Sequence, residues 1–167
     1  MFHTISDFIE IWQEEAKNTE KLFSAINDAT LNKELVPGLR TIKQLGWHII
    51  DTPREMLELT GLTIKAAEDR ETATASVQTM IDAHRHVVSA VTHQVQTHWN
   101  NKSLHQTDNM YGETWTRSQT LSALLFHLIH HRGQMTVFMR IAGLKVPGLY
   151  GPAKEEWAEM GLQPPQE

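Results

Sequence analysis

The chain has no cysteine among its 167 residues. Without a thiol it can form no disulfide, and it has neither a cysteine ligand for a metal nor a cysteine nucleophile. It also lacks an apolar run close to the roughly 20 residues that span a bilayer. The first residues show no basic segment followed by an apolar one, as a secretion signal would. We therefore expect a cytoplasmic protein without a membrane partner.

Positive charge is scarce as well, since the formal net charge is −5 and no cluster of lysine or arginine is present. Neutralisation of phosphates dominates affinity for nucleic acids, so we expect no nucleic-acid partner. What the chain does have is 40% hydrophobic and 21% charged residues, the composition of a folded globular protein. The length fits one domain over residues 1–167.

Apolar residues recur at steps of three and four in four long segments, which predicts four amphipathic helices. Thr41 and Thr116 each precede a glutamine by three residues, the pattern of a capping box at a helix start. No segment alternates with a period of two, so we expect an all-α four-helix bundle. The predicted helices run from about Thr4 to Asn27, from Thr41 past Leu57, from Thr74 to Trp99 and from Thr116 to about Gly143.

Two features interrupt this pattern. Pro53 lies within the second helical segment, where it either kinks the helix or starts a new one, because it removes a backbone hydrogen bond. The segment from Asn100 to Trp115 is too long for a simple connection, and loops of that length are usually functional or disordered. Its two aromatic residues argue against disorder, so we expect a long functional loop before the last helix.

Histidine is abundant, with 10 residues, and two of them lie on one helix face. His127 and His131 are four residues apart, which places them about 6 Å apart along the helix axis. Both lie on or beside the stripe that faces the bundle axis, where an unsatisfied imidazole costs about 1–3 kcal/mol. A shared metal ion would satisfy both, whereas the alternative is a separate hydrogen bond for each.

His48 is the third candidate ligand, because it lies on the inward side of the second helix. Bundles build metal sites from side chains that facing helices project inward. Three protein ligands leave a coordination position open, as in catalytic rather than structural sites. His84 also has a core-like position. It either contacts a ligand without binding the ion itself, or it is a core histidine whose hydrogen bonds are satisfied elsewhere. The remaining histidines are interpreted as surface, loop or terminal residues: His3, His86, His93, His98, His105 and His130.

Several motifs together resemble the DinB-like (DinB/YfiT) family of small metalloproteins over essentially the whole chain. They are Trp47-His48-Ile49-Ile50, the His-x-x-x-His-Arg-Gly-Gln pattern that starts at His127, Gly143 and the Pro147–Pro152 segment. The resemblance implies a four-helix bundle with one divalent ion, usually nickel or zinc. Its ligands would be the matching residues His48, His127 and His131. It also implies a homodimer.

Relatives in that family include transferases and isomerases that use low-molecular-weight thiols, such as bacillithiol, mycothiol or glutathione. By this resemblance we expect a metal-dependent enzyme that deprotonates a coordinated thiol and adds it to a small-molecule electrophile. Tyr111 and Glu113 in the long loop are expected to cover the site. Arg132 and Gln134 either position an anionic cosubstrate or tie the last helix to a neighbour.

Two alternatives stay open. A metal-dependent hydrolase would lower the pKa of water towards 7 and would need a general base. Asp51, Glu55 and Glu113 are the carboxylates available for that task, and Asp51 is also a candidate to support the ligands from behind. A non-catalytic, dimeric metal-binding protein is the third possibility, because no carboxylate stands at a diagnostic spacing from the histidines.

Overall fold

The structure is a computed structural model that describes residues 2–66, 76–163 and 165. Four long helices form a bundle, which confirms the expected all-α fold. The elements are α1 (Ile5–Ser24), α2 (Asp28–Leu31), α3 (Ile42–Glu58), α4 (Val77–His98), a 3-10 helix (Asn101–His105), β1 (Thr107–Met110), β2 (Glu113–Thr116) and α5 (Arg117–Ile141). Within the described ranges, no helix combines the length and the apolar character needed to cross a bilayer.

Side-chain caps fix where the helices start. At α3 the Thr41 hydroxyl accepts a hydrogen bond from the Gln44 amide, and the Gln44 side chain accepts one from the Thr41 amide. The same reciprocal pair starts α5, so both predicted capping boxes are confirmed. The third predicted helix begins later, at Val77 after the Ser76 cap. Its expected start at Thr74 lies outside the described residues.

Helix α3 runs through Pro53 without restarting, which resolves the open alternative at that residue. Proline has no N–H to donate, so one backbone carbonyl in the preceding turn loses its usual partner. Beside it, the Thr52 hydroxyl donates to the His48 carbonyl at 2.7 Å. One continuous helix therefore carries both His48 and Glu55, two turns apart on the same element.

The core lies between the four long helices, with α3 packed against α4 and α5, and α1 against α4 and α5. Helix α3 approaches its neighbours closely at Gly46. A Cβ added there would lie 2.0 Å from Met80 Cε and 3.7 Å from Met135 Cε. Because the glycine lacks that carbon, the two methionine ends fill the space beside α3 two residues before His48.

The segment after α4, which was expected to be a long loop, contains the 3-10 helix and a two-stranded hairpin. Strands β1 and β2 are antiparallel, with Thr107 opposite Thr116 and Met110 opposite Glu113. The turn residues are Tyr111 at φ 56° and Gly112 at φ 88°. Two residues at positive φ are typical of the tight hairpin turn whose twist matches that of the strands.

Arg117, the first residue of α5, anchors this hairpin to the bundle. Its guanidinium lies 2.9 Å from the Asp108 carboxylate on β1 and donates to the Thr60 carbonyl at 3.1 Å. It also stacks over the Trp99 ring, 4.8 Å from the ring centroid. The hairpin is thereby held next to the end of α3.

Candidate metal centre

The structure brings the three predicted histidines together. The Nε2 atom of His48 lies 3.1 Å from Nε2 of His127 and 3.0 Å from Nε2 of His131. The third distance, between His127 and His131, is also 3.0 Å. Helix α5 contributes two nitrogens from consecutive turns, and α3 contributes the third. Together they form a group with metal-ligand geometry.

The proton on His131 is held on the side of the ring away from this group. The side-chain oxygen of Gln134, one turn later on α5, accepts a hydrogen bond from His131 Nδ1 at 2.8 Å. The Gln134 amide nitrogen donates to His130 Nε2 at 2.9 Å, which is consistent with this orientation of the amide. A neutral imidazole with its proton on Nδ1 has a lone pair on Nε2, so His131 turns a lone pair towards the other two rings.

Hydrogen bonding alone does not satisfy the three nitrogens. Each ring nitrogen offers one proton or one lone pair, so three mutual contacts cannot all be hydrogen bonds. Three nitrogens separated by 3.0–3.1 Å fit the donor set of one divalent ion, which imidazoles bind at about 2.0–2.1 Å. Three protein ligands would leave a coordination position for a substrate or water.

All three imidazoles are held neutral at physiological pH. Burial, the neighbouring His131 and the Arg40 charge lower the pKa of His48 to about 4. Burial is also the main cause of the lowered pKa values of His127 and His131. Because a histidine must be deprotonated to bind a metal, this neutrality leaves the nitrogens available.

Two opposite charges flank the group. The positive charge of Arg40 lowers the pKa of each of the three histidines, whereas the Glu55 carboxylate raises the pKa of His48 and His127. The Glu55 carboxylate also accepts a hydrogen bond from the Tyr111 hydroxyl at 3.2 Å. The hairpin turn thus brings Tyr111 to a carboxylate whose charge acts on two of the three histidines.

Arg40 is the site residue that the sequence did not reveal. It stands one residue before the Thr41 cap, in a segment without helical periodicity. No pattern in the sequence relates Arg40 to the histidines, because their proximity depends on how this irregular segment packs against the bundle.

Three other residues that the sequence analysis singled out lie in different surroundings. Gln134 contacts His131 directly, as described above. The Glu113 carboxylate instead accepts a hydrogen bond from Trp115 Nε1 at 2.7 Å on the exposed side of β2. Asp51 is half-buried on α3, one turn after His48. Its support of the ligands, like the general-base role of either carboxylate, stays a prediction.

Arg132 follows His131 directly but is not brought to the histidine group. It is 1% exposed and forms an ion pair with the Glu15 carboxylate of α1. Its guanidinium also donates to the Glu15 carbonyl and to the Thr19 hydroxyl, both at 2.7 Å, and to the Tyr150 hydroxyl. These contacts favour the alternative in which Arg132 ties the last helix to its neighbours.

His84 is likewise placed away from the three ligands, at the interface of α1 and α4. Its ring meets the Phe23 ring edge-on, with 5.8 Å between centroids. It lines a cleft there together with Glu20 and Arg85. Burial lowers the pKa of His84 to about 4, and the ring is a neutral part of the core.

Comparison with known proteins supports the family resemblance. The model of the DinB family matches residues 1–167. A Bacillus subtilis (strain 168) protein, named uncharacterized protein YrdA, is 36% identical over 166 residues, which cover 99% of each chain. The crystal structure of a DinB-like protein from Bacillus cereus has a TM-score of 0.83 at 35% identity and covers 90% of this chain and 100% of its own.

A second solved structure shares the fold alone. It is a DinB-like protein from Bacillus subtilis, YjoA, which is 14% identical and has a TM-score of 0.67. The match covers 86% of this chain and 97% of the other. The bundle is therefore common to proteins whose sequences have largely diverged.

Proposed function

The chain belongs to the DinB family, and we propose that it is a metal-dependent enzyme whose ligands are His48, His127 and His131. The observation that carries this proposal is the convergence of three Nε2 atoms within 3.0–3.1 Å of one another. Nickel and zinc are the proposed ions, since imidazole suits both. The proposal includes a homodimer in the cytoplasm, which sedimentation of the purified protein and cell fractionation test.

The proposed reaction transfers a low-molecular-weight thiol to an electrophilic carbon. A divalent ion held by His48, His127 and His131 would supply Lewis acidity, which would lower the pKa of a bound thiol. The chain has no cysteine, so the nucleophilic sulfur belongs to the cosubstrate. The sulfur–carbon bond forms as the leaving group departs with its electron pair.

The chain's own residues orient the ligands and handle the proton in this reaction. Gln134 holds the proton of His131 on Nδ1, so that Nε2 faces the site. We assign Glu55 as the acceptor for the thiol proton, because it lies two turns after His48 on α3 and its charge acts on both His48 and His127. The Tyr111 hydroxyl donates to Glu55 and thereby orients it.

The second candidate function is hydrolysis, and the placement of Glu55 favours it. A carboxylate beside the ligands, oriented by a tyrosine, is a suitable general base for a water molecule. In this reaction Glu55 would take a proton from the attacking water instead of from a thiol. The two functions therefore use the same residues and differ in the nucleophile.

A paired assay separates these functions. Protein loaded with nickel or zinc is incubated with a panel of alkylating and ester electrophiles, with and without bacillithiol or glutathione. We expect adducts that require both thiol and metal in the wild type and in the exposed control His93→Ala, but not in His127→Ala. Turnover without thiol would instead support hydrolysis. An ion that binds tightly without any turnover would support the non-catalytic alternative.

Elemental analysis of the same proteins tests the metal centre itself. We expect a near-stoichiometric ion in the wild type and in His93→Ala, and its loss in His48→Ala and His127→Ala. The two variants alter different helices, so a shared loss points to the ligands. Equal metal content in all four proteins would refute the assignment.

A further inference from the structure

A cleft of about 430 Å³ lies between the segment that precedes α3 and the C-terminal half of α5. Small-molecule sites commonly have volumes of about 300–1,000 Å³, so the cleft is large enough for one. Most of its lining is apolar, from Val36, Leu39, Leu45, Val137, Phe138 and Ile141. The two polar residues of the lining are Arg40 and Gln134. We refer to it as the Arg40 cleft.

The polar residues place this cleft beside the metal centre. Gln134 lines the cleft with one side and accepts the hydrogen bond from His131 Nδ1 at 2.8 Å. Arg40 lies close enough for its charge to act on all three histidines. A molecule in the cleft would therefore have its apolar part between the helices and its polar end near the ligands.

Arg40 differs from the other arginines that the structure describes. Arg54, Arg85, Arg117, Arg132 and Arg140 each form an ion pair with a carboxylate. Within residues 2–66, 76–163 and 165, Arg40 has neither an ion pair nor a hydrogen bond, and it is exposed. A guanidinium that has no carboxylate partner within the chain is suited to bind an anion from solution, and its planar shape matches a carboxylate.

We propose that the Arg40 cleft binds the electrophilic substrate, and that this substrate is a small organic acid with an apolar body. Its carboxylate pairs with Arg40, and its hydrocarbon part packs against the apolar walls formed by α5 and the segment before α3. This assignment rests on the proposed metal-dependent reaction, for which it names the class of substrate. It also places the acid so that its polar end, rather than its apolar end, faces the histidines.

Calorimetric titration with octanoate, an unreactive acid of this class, tests the assignment on the metal-loaded full chain. We expect octanoate to bind at least tenfold more tightly than acetate, which lacks the apolar body, and than octan-1-ol, which lacks the charge. Arg40→Gln should weaken octanoate binding at least tenfold and leave octan-1-ol unchanged. The matched control Arg85→Gln, on the exposed side of α4, should bind octanoate like the wild type.

Equal affinity of the wild type and Arg40→Gln for octanoate would overturn the assignment, since the acid would then bind elsewhere or directly to the ion. Occupation of the cleft by a second copy of the chain would also overturn the assignment. In that case Val137→Asp would turn a sedimenting dimer into a monomer, and octanoate would not bind the wild type. Circular dichroism of each variant confirms that it is folded.

Titration of His127→Ala separates this proposal from the metal-dependent function. That variant removes a ligand but leaves Arg40 and the apolar walls in place. Octanoate binding that still depends on Arg40 in this background supports the cleft even if the thiol-transfer assay fails. If the protein transfers thiols but binds octanoate no better than acetate, the proposed enzymatic function is supported and the proposed acid binding in the Arg40 cleft is refuted.

Discussion

Gln134 accepts a hydrogen bond from His131 Nδ1 at 2.8 Å, from one turn further along the same helix. This contact fixes which nitrogen of His131 faces His48 and His127, because the other nitrogen has to keep the proton. Partners of this kind orient ligand histidines and raise their basicity. The His131–Gln134 pair therefore belongs to the candidate metal centre, although Gln134 is not one of its proposed ligands.

Replacing Gln134 with methionine should weaken metal binding without removing it. The variant keeps the helix and the approximate volume but leaves His131 free to change tautomer. Loss of such a partner typically costs about 10–100-fold in metal affinity. Competition with a chromophoric chelator measures the affinity, and Gln96→Met on the exposed side of α4 is the matched control. If both variants bind the ion as the wild type does, His131 is oriented by something else.

Replacing Arg132 with methionine should destabilise the fold strongly and leave the metal content unchanged. The substitution leaves the Glu15 carboxylate without its ion-pair partner, and breaking a buried pair costs about 3–5 kcal/mol. Adding Glu15→Gln should recover part of the loss, because the orphaned charge is then removed. Urea unfolding measures both effects.

An exposed ion pair provides the comparison for Arg132. Lys17 and Glu14 lie 3.1 Å apart with side chains that are 75% and 64% exposed. Lys17→Met should cost less than about 1 kcal/mol, as is usual for surface pairs. A loss of metal in Arg132→Met protein that is still folded would contradict the purely structural role.

The buried His84 should make the protein less stable in mild acid. Burial lowers the pKa of His84 from 6.5 to about 4, so the unfolded chain takes up the proton first as the pH falls. The contribution of His84 to the free energy of unfolding is therefore full above pH 6.5, and it is lost progressively as the pH falls towards 4. The contribution is about 2–3 kcal/mol between pH 7 and pH 4.5.

Urea unfolding of metal-free protein at these two pH values measures this effect. His84→Gln should lose less stability on acidification than the wild type, because it has no imidazole to protonate. His86→Gln, two residues away and exposed, should retain the wild-type pH dependence. Identical pH dependence in all three proteins would show that His84 is not responsible.

Alanine substitution should have opposite effects at Gly112, in the hairpin turn, and at Gly133, inside α5. Gly112 has φ 88°, and a side chain there costs about 1 kcal/mol or more in backbone strain. Gly133 lies inside α5 with no atom within 4 Å of an added Cβ. Alanine at that position should stabilise the helix by about 0.5–1 kcal/mol. Thermal unfolding of Gly112→Ala and Gly133→Ala tests the pair, and a shift of the same sign in both would contradict it.

The helices and the three histidines could be predicted because both depend on spacing along a helix. The capping boxes at Thr41 and Thr116 gave two helix starts correctly. The positions of His127 and His131 follow from the geometry of a single helix. His48 required in addition that α3 and α5 be neighbours, which the sequence pattern alone did not determine. The family resemblance supplied that step.

The hairpin could not be predicted, since it has little hydrophobic pattern. Its strands have four residues each, and Met110 is the single buried residue among them. Contacts between distant residues hold it instead, above all the pair of Arg117 with Asp108. Arg40 could not be predicted for the same reason. It lines a cleft with residues of α5 only because the irregular segment before α3 packs next to that helix.

His131 and Arg132 are neighbours in the chain, but their side chains leave α5 about 100° apart and reach different surroundings. His131 lies in the three-histidine group, and Arg132 pairs with the buried Glu15. A substitution at His131 therefore changes the candidate metal site without altering the buried ion pair, and a substitution at Arg132 changes the core without altering the three histidines. Two adjacent residues of one short motif can thus vary independently of each other.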